Sequence, residues 1–212
     1  QQNFFTAHSI LPRLNMIAFD LGAGHGLQSV SLANLGFSVT AIDFNTQLLN
    51  ALAHNSERLS VKIVQDELVS FLEKTSEQAE LILCMGDTLT HLDSLKKVAE
   101  LFRLMVKRLM PGGKVVLSFR DLTHELKEEQ RFIPVKSDQT RIHTCFLEYF
   151  TDRVMVHDIL YENRDGKWIQ KVSAYPKLRL NESMVADLLE AANFKLVSSE
   201  VLNRMIYLIA KK

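Results

Sequence analysis

A glycine-rich segment flanked by carboxylates is the part of the sequence best suited to chemistry. Asp20-Leu21-Gly22-Ala23-Gly24-His25-Gly26 follows a short apolar run and precedes a helical pattern. Glycines let the backbone turn tightly and approach a ligand without a Cβ in the way. Asp43 ends the next apolar run, where a carboxylate can accept hydrogen bonds from both ribose hydroxyls. The segment therefore predicts a nucleoside-containing cofactor across the ends of the first two strands.

Two classes of cofactor compete for such a site. The dinucleotide motif is G-x-G-x-x-G, but here Leu27 stands where its third glycine belongs. Asp20 precedes the first glycine by two residues, and a carboxylate there repels a pyrophosphate and attracts an ammonium group. A nicotinamide oxidoreductase is therefore disfavoured. S-adenosylmethionine fits better, because it presents a ribose, an α-amino group and a sulfonium.

At these residues the chain resembles the class I S-adenosylmethionine-dependent methyltransferases. The segment 20–26 matches their first motif, and Asp43 matches their ribose-binding acid. Leu109-Met110-Pro111-Gly112-Gly113 is similar to the turn before their fifth strand, and Gln65-Asp66 to their pair near the adenine amino group. Ala23 departs from the Cys or Ser of many members, at a position that contributes mainly backbone. The resemblance, over about residues 14–120, implies these cofactor-binding residues: Asp20, Gly22, Ala23, Gly24, Gly26, Asp43, Phe44, Asp66, Glu67, Met85 and Gly86.

Each motif residue also has a purely structural alternative. Asp43 can cap the helix that begins near Thr46, and Asp66 can cap the next short helix. Asp20 can be a satisfied carboxylate at a strand end, and His25 a spacer in the loop. These alternatives stay open at the level of sequence.

The acceptor side of the site is less specific. Met85 to Leu92 follows strand four and lacks the Asn/Asp-Pro-Pro-aromatic run of enzymes that methylate nucleic-acid bases. Asp87 and Asp121 lie where magnesium-dependent O-methyltransferases hold their ion, but the Asp-Asn pair of those enzymes is absent. We therefore expect no metal, and we interpret Asp87 as a loop or capping carboxylate. The catalytic residue is unknown, and the candidates for acceptor contact are His91, Arg120 and Tyr149.

The elements that must position these residues form an α/β pattern over the first 120 residues. Apolar runs at 16–19, 39–42, 61–64, 81–85 and 115–119 predict strands, with helices at 26–35, about 46–56, near 68–72 and from Asp93 or Ser94. A helix from Asn181 or Ser183 to Ala192 and strands at 194–202 and 205–210 close the chain. We predict a Rossmann-like, doubly wound, mostly parallel seven-stranded sheet with an antiparallel last strand.

A β-meander interrupts this pattern. Three β-rich stretches at 141–150, 153–161 and 168–178 predict an antiparallel insertion, at about 123–180, within a single domain of residues 1–212. Alternation places Cys145 and Leu147 with His143 and Tyr149 on one face of its first strand. In the second strand the same alternation places Met155, His157, Ile159 and Tyr161 on one face. One interpretation is that such a face covers the acceptor pocket, with His143, Tyr149, His157 and Tyr161 in contact with the acceptor. The alternative is an amphipathic sheet whose His and Tyr side chains lie in solvent or in the core, and the sequence does not fix the register that would decide between them.

Composition restricts the partners. The 212 residues carry 25 Lys plus Arg and 25 Asp plus Glu, which argues against a dedicated nucleic-acid binder. The two cysteines, Cys84 and Cys145, are predicted to be small buried residues of a protein in a reducing cytoplasm. No apolar run approaches the ~18 residues of a membrane span, and the start at Gln1 is unlike a signal peptide. Because the sequence lacks an initiator Met, its numbering is expected to begin downstream of the native start.

The sequence thus predicts a cytoplasmic S-adenosylmethionine-dependent methyltransferase, monomeric or homodimeric, acting on N or O of a small-molecule acceptor. The alternatives are a non-catalytic relative that serves as a partner subunit, and an RNA or protein methyltransferase.

Overall fold

The first half of the chain alternates strands and helices as predicted. A computed structural model describes residues 1–212. Its elements up to residue 119 are α1 (Gln2–Ala7), β1 (Ile17–Leu21), α2 (Leu27–Asn34), β2 (Ser38–Asp43), α3 (Thr46–Asn55), β3 (Val61–Gln65), α4 (Leu68–Lys74), β4 (Ala79–Cys84), α5 (Leu95–Arg108) and β5 (Leu109–Phe119). The Pro111-Gly112-Gly113 turn is an outward bulge within β5, because the pairing with β4 jumps from Leu109 to Lys114.

The chain ends in α6 (Glu182–Ala191), β10 (Lys195–Leu202) and β11 (Met205–Lys211). These strands complete a seven-stranded sheet with the order β10-β11-β5-β4-β1-β2-β3. β11 runs antiparallel to β5 and to β10, whereas β1 to β5 run parallel to one another. The predicted doubly wound sheet with an antiparallel last strand is confirmed.

Helices cover this sheet on both faces because successive residues of its central strands point to opposite sides. On one face, Phe19, Ile82 and Val115 pack in a cluster with Phe102 of α5. On the other, the neighbouring residues Ala18, Leu81 and Val116 pack with Leu32 of α2. The sheet therefore has two apolar cores, and the carboxyl ends of β1, β2, β4 and β5 carry the polar residues.

The predicted meander is a separate antiparallel sheet with one more strand than expected. It consists of β6 (Phe132–Ser137), β7 (Arg141–Tyr149), β8 (Arg153–Arg164) and β9 (Lys167–Leu178), paired in that order. The sequence prediction missed β6, an edge strand that is exposed along its whole length and contains Pro134. Pro is tolerated at an edge because it has no N–H to donate to a neighbouring strand. We call these four strands the small sheet.

The interpretation that brings His157 and Tyr161 together with His143 and Tyr149 over one pocket is wrong, because the register that the sequence left open places them on opposite faces of the small sheet. Residues directly opposite each other in a ladder point to the same side, and Cys145 pairs with Asp158 whereas His157 pairs with Phe146. The even positions of β8 therefore lie on the inner face, together with the odd positions of β7. This face holds the buried residues Leu147, Val154 and Val156.

The two cysteines differ in environment. Cys84 is fully buried in β4, as predicted. Cys145, on the inner face of the small sheet, is only half-buried, and its thiol donates a hydrogen bond to Asp158 Oδ1 at 2.9 Å. The prediction of a buried apolar residue is wrong for Cys145. Its strand, β7, belongs to the small sheet, and the inner face of that sheet is only partly covered at this position.

No helix in the structure is both long and apolar enough to cross a bilayer.

Candidate active site

Asp43 fastens the glycine-rich loop to the end of β2. Its Oδ2 accepts a hydrogen bond from Gly24 N at 2.8 Å, and its Oδ1 accepts one from Asn45 N at 2.9 Å. α3 is capped instead by the side chain of Asn45, which accepts from Gln47 N and Leu48 N, so the alternative that Asp43 serves as the helix cap is wrong. Each carboxylate oxygen keeps a further lone pair, which can accept a hydroxyl hydrogen of a ribose.

The three glycines of the loop have different reasons to be glycine. A Cβ at Gly22 would lie 2.3 Å from Thr88 Cγ2, and one at Gly26 would lie 2.2 Å from Leu52 Cδ1. Gly24 has φ +54°, and a Cβ there would meet no atom within 4 Å. Gly22 and Gly26 thus allow close packing within the protein, whereas Gly24 leaves open space above the backbone that Asp43 holds.

Asp20 is buried beneath this loop and bonded to α2. Its Oδ2 accepts a hydrogen bond from Ser29 Oγ at 2.6 Å. Burial raises the pKa of Asp20 to about 6, against the lowering effect of the Ser29 hydrogen bonds, and the Asp43 charge adds to the rise. A cation brought near this carboxylate would restore its ionised form.

Phe44 presents a flat apolar surface next to Asp43. Its side chain is 65% exposed, which is unusual for a large aromatic residue. Gln65 Nε2 holds this segment by donating to Thr46 Oγ1 at 2.9 Å and to Phe44 O at 3.3 Å. Such a ring suits stacking with an aromatic base.

The neighbouring acids at the end of β3 are engaged locally. Asp66 pairs with Lys74 at 2.8 Å and accepts from Glu67 N at 2.9 Å. The hydrogen bond from Lys74 lowers the pKa of Asp66. Glu67 rather than Asp66 occupies the N-cap position directly before α4, and its side chain makes no capping hydrogen bond. Asp66 is therefore not the helix cap.

The loop after β4 completes the site. Met85 is buried, and Gly86 N donates to Ser118 Oγ at 2.9 Å. Gly86 has φ +75°, and a Cβ there would meet no atom within 4 Å. Like Gly24, it leaves open space beside the backbone.

Asp87 lies in the loop after β4, as expected from the sequence, but its side chain does not cap the short helical turn Thr88–His91 and instead connects the large sheet to the small sheet. Its Oδ1 accepts from Arg120 N at 2.7 Å, and its Oδ2 is paired with the Arg120 guanidinium and with Lys177 Nζ at 2.9 Å. Burial raises the pKa of Asp87, but Lys177 and Arg120 outweigh it and hold that pKa below its usual range. The sequence analysis missed Lys177, because only the register of β9 shows that it faces Asp87.

His91 and Tyr175 lie beside this ion-pair network. Their rings are 5.4 Å apart, centroid to centroid, and tilted by 31°. His91 is at the rim and partly open to solvent, yet the pKa of its imidazole is lowered, first by desolvation and then by Lys177, against Asp87. Burial, followed by the charge of Asp158, raises the pKa of Tyr175 to about 12. A neutral imidazole, which can accept a proton, thus faces the inner side of the small sheet.

The three predicted acceptor contacts fall in two places. His91 and Arg120 converge on Asp87, as described above. Tyr149 packs against Arg179 instead, whose guanidinium carbon is 5.6 Å from the ring centroid. The acceptor role of Tyr149 stays a prediction.

Two further observations concern the surroundings. Asp121, considered above as a metal ligand, accepts hydrogen bonds from the backbone N and the hydroxyl of Thr123. A cavity of about 580 Å³ lies between the start of α5 and the β7–β8 turn. None of the predicted cofactor residues lines it, so we do not assign it to the reaction.

The residues present fit S-adenosylmethionine. Asp43 offers free lone pairs to a ribose, Phe44 offers an aromatic face, and Asp20 is a carboxylate whose ionised form lacks a cation. Between them, the backbone at Gly24 is open.

Sequence comparisons agree with this arrangement. Residues 18–113 match the family model described as methyltransferase domain. The ubiquinone biosynthesis O-methyltransferase of Photorhabdus laumondii is 34% identical over 101 residues, which are 47% of this chain and 40% of that protein. The enzyme of the same name from Colwellia psychrerythraea is 28% identical over 143 residues, 63% of this chain and 55% of that protein. The chain therefore spans about half the length of the curated relatives it matches.

Solved structures share the whole fold, small sheet included. The CcbJ methyltransferase from Streptomyces caelestis superimposes with a TM-score of 0.84 at 18% identity, covering 99% of this chain and 93% of that one. An S-adenosylmethionine-dependent methyltransferase from Clostridium acetobutylicum gives 0.82 at 13% identity, covering 99% and 89%. A sugar N-methyltransferase from Streptoalloteichus gives 0.81 at 10% identity, covering 100% and 84%.

Proposed function

We propose that this chain, which carries a methyltransferase domain of the class I S-adenosylmethionine-dependent fold, transfers the methyl group of S-adenosylmethionine to O or N of a small-molecule acceptor. The geometry at Asp43 carries the proposal, because one carboxylate both fixes the backbone at Gly24 and keeps lone pairs for a ribose. The names of the relatives, which include O- and N-methyltransferases, support the reaction class.

The cofactor-binding residues are proposed to divide by the part of the ligand they meet. Asp43 binds the ribose, Phe44 stacks on the base, and Asp66 and Glu67 lie beside it. Asp20 provides the negative charge for the α-amino group. The open backbone at Gly24 and Gly86 lets the ligand lie against the ends of β1 and β4. The other proposed cofactor-binding residues of these two loops are Gly22, Ala23, Gly26 and Met85.

Alignment is the main contribution of the protein to the reaction. S-adenosylmethionine, when bound, supplies a methyl group that is already activated on a sulfonium. Holding the acceptor in line with that group can supply much of the barrier reduction, up to ~7–11 kcal/mol by effective-molarity arguments. The inner face of the small sheet reaches the loop after β4 through Lys177 and Tyr175, which brings that face next to the proposed acceptor site.

His91 is the proposed proton acceptor. Its lowered pKa keeps the imidazole neutral at pH 7, so it can take a proton from an acceptor hydroxyl or ammonium group. Arg120 and Lys177 together carry one positive charge more than Asp87, and this local excess favours an acceptor that carries an acidic group.

Calorimetric titration tests the proposal at its first step. S-adenosylmethionine and S-adenosylhomocysteine are expected to bind the wild-type protein with dissociation constants of roughly 1 μM to 1 mM, and NAD is expected not to bind. Asp43→Asn removes the charge from two ribose hydrogen bonds, so its affinity should fall by about 10- to 100-fold. Asp187→Asn, which changes an exposed acid on α6, should bind as the wild type does.

A glycine pair keeps this test independent of the carboxylate. Gly24→Ala and Gly112→Ala both place a Cβ in open space at a positive φ, so both carry the same backbone strain of about 1–2 kcal/mol. Only Gly24→Ala should weaken cofactor binding. Equal effects of both glycine variants, or binding indifferent to Asp43→Asn, would contradict the proposed site. Cofactor binding without any methylated product across a panel of phenols, amines and hydroxy acids would instead favour the non-catalytic alternative.

A further inference from the structure

Three side chains with different ligand atoms converge on the inner face of the small sheet. His143 Nε2 lies 2.9 Å from Asp158 Oδ1, and Cys145 Sγ lies 2.9 Å from the same oxygen. Cys145 Sγ and His143 Nε2 are 3.9 Å apart. The three atoms thus form a compact triangle of one nitrogen, one sulfur and one oxygen.

The backbone ladder holds this triangle in place. Cys145 and Asp158 are directly opposite each other in the pairing of β7 with β8. His143 precedes Cys145 by two residues, so its side chain emerges on the same face. The spacing is therefore set by two paired strands and not by a mobile loop.

We propose that His143, Cys145 and Asp158 bind a zinc(II) ion with three protein ligands and a fourth position open toward Tyr175 and Asp87. Thiolate, imidazole and carboxylate are the ligands that zinc takes in proteins, and catalytic zinc sites keep three of them plus an open position. Tetrahedral bonds of about 2.0–2.3 Å separate ligand atoms by about 3.3–3.8 Å. To reach this geometry, the two separations of 2.9 Å from Asp158 Oδ1 must lengthen and the 3.9 Å between Cys145 Sγ and His143 Nε2 must shorten, each by about half an ångström.

Charge balance favours an ion of this kind. A thiolate and a carboxylate together neutralise the two charges of zinc, which limits the cost of holding the ion in a half-buried place. Binding displaces the Cys145 thiol proton to solvent, and His143 coordinates through Nε2 as the neutral imidazole.

The site is distinct from the acids after β4 and β5. Asp87 is taken up by Arg120 and Lys177, and Asp121 by Thr123. The proposal does not depend on methyl transfer, because the readouts below are those of metal binding alone.

Cobalt(II) and zinc(II) titrations of the chelator-treated protein test the proposal. We expect one equivalent of cobalt(II) to produce near-ultraviolet thiolate-to-cobalt charge transfer and strong visible bands of tetrahedral coordination, and zinc(II) to remove both. Cys145→Ser should abolish the charge-transfer band, and His143→Gln should weaken zinc binding at least tenfold. His157→Gln is the matched control, because His157 lies on the adjacent strand, faces the other side and pairs with Glu148.

A measurement on the wild-type protein covers the case in which a variant fails to fold. Cys84 is fully buried, so alkylation of the native protein should label Cys145 alone, and zinc should slow that labelling in proportion to occupancy. Unchanged labelling with zinc, a cobalt complex without thiolate charge transfer, or loss of binding in His157→Gln equal to that in His143→Gln would each overturn the proposal.

Discussion

At the scale of single residues, two carboxylates from the same motif perform different tasks. Asp43 is 7% exposed, and its two carboxylate oxygens accept hydrogen bonds from Gly24 N and Asn45 N. Asp20 is buried and accepts a hydrogen bond from the Ser29 hydroxyl, and its burial raises its pKa to about 6. The sequence pattern predicts both positions but not this difference, because desolvation depends on what the rest of the chain packs around each group.

The raised pKa of Asp20 predicts that cofactor affinity depends on pH. In the free protein Asp20 is protonated below about pH 6, whereas an ammonium group beside it favours the carboxylate. Affinity for S-adenosylmethionine should therefore rise with pH, by at most about tenfold per unit, and level off above about pH 6. Calorimetry in two buffers of different ionisation enthalpy should show proton release on binding below that pH.

Asp20→Asn separates this effect from other titrating groups. Above about pH 6, the variant should bind S-adenosylmethionine more weakly than the wild type does. Its affinity should also no longer rise with pH below that value. For the unliganded protein the sign is opposite: because Asp20 binds its proton more tightly when folded, its contribution to stability falls as pH rises from its ordinary value of 3.8 to about 6. A slope that survives in Asp20→Asn would assign the dependence to another group.

At the scale of elements, local signals predicted the large sheet and three of the four strands of the small one. Short apolar runs, glycines at turns and caps such as Ser94 and Asn181 fix β1 to β5 and the helices between them. β6 has no such signal, because all of its residues are exposed and Pro134 interrupts the strand pattern. Face assignment across β7 and β8 depends on register, and a shift by one residue moves every side chain to the other face. That is why His157 was misplaced, and why Asp158, Tyr175 and Lys177 were not predicted as site residues.

The contact of β9 with the β4 loop predicts a specific loss of stability. Lys177→Met removes one of the two cations from Asp87, which is almost completely buried. Because Arg120 remains, we expect a decrease in the free energy of unfolding of about 1–3 kcal/mol. Urea denaturation measures this directly.

Lys171→Met is the control on the same strand. Lys171 pairs with Glu162 at 2.6 Å, but its side chain is 51% exposed, so solvent screens the interaction and little stability should be lost. Equal losses for the two variants would mean that Lys177 contributes only as a surface charge does.

At the scale of the whole molecule, the small sheet is joined to the large one by core residues as well as by ion pairs. Leu178 at the end of β9 and Leu180 after it belong to the main apolar cluster that also contains Phe102 and Phe119. Arg179 between them donates to the carbonyl of Thr123, at the start of the insertion, and to that of Phe150, at the turn between β7 and β8. These contacts support the proposal that residues 1–212 form one domain and that 123–180 is an insertion within it.

The chain should therefore unfold as one cooperative unit. Far-ultraviolet circular dichroism reports the whole molecule, whereas fluorescence reports the small sheet, because the only tryptophan is Trp168 in β9. The two urea transitions should coincide in midpoint and slope, as two-state unfolding requires. Hydrogen exchange provides the residue-level control: the amides shared by β8 and β9 should approach the same limiting stability as those of β4 and β5.

If the fluorescence transition came at lower urea, with β8 and β9 exchanging early, the small sheet would be an independently unfolding layer. In that case Lys177→Met should widen the gap between the two transitions, because it weakens the ion pair that holds this layer to the loop after β4.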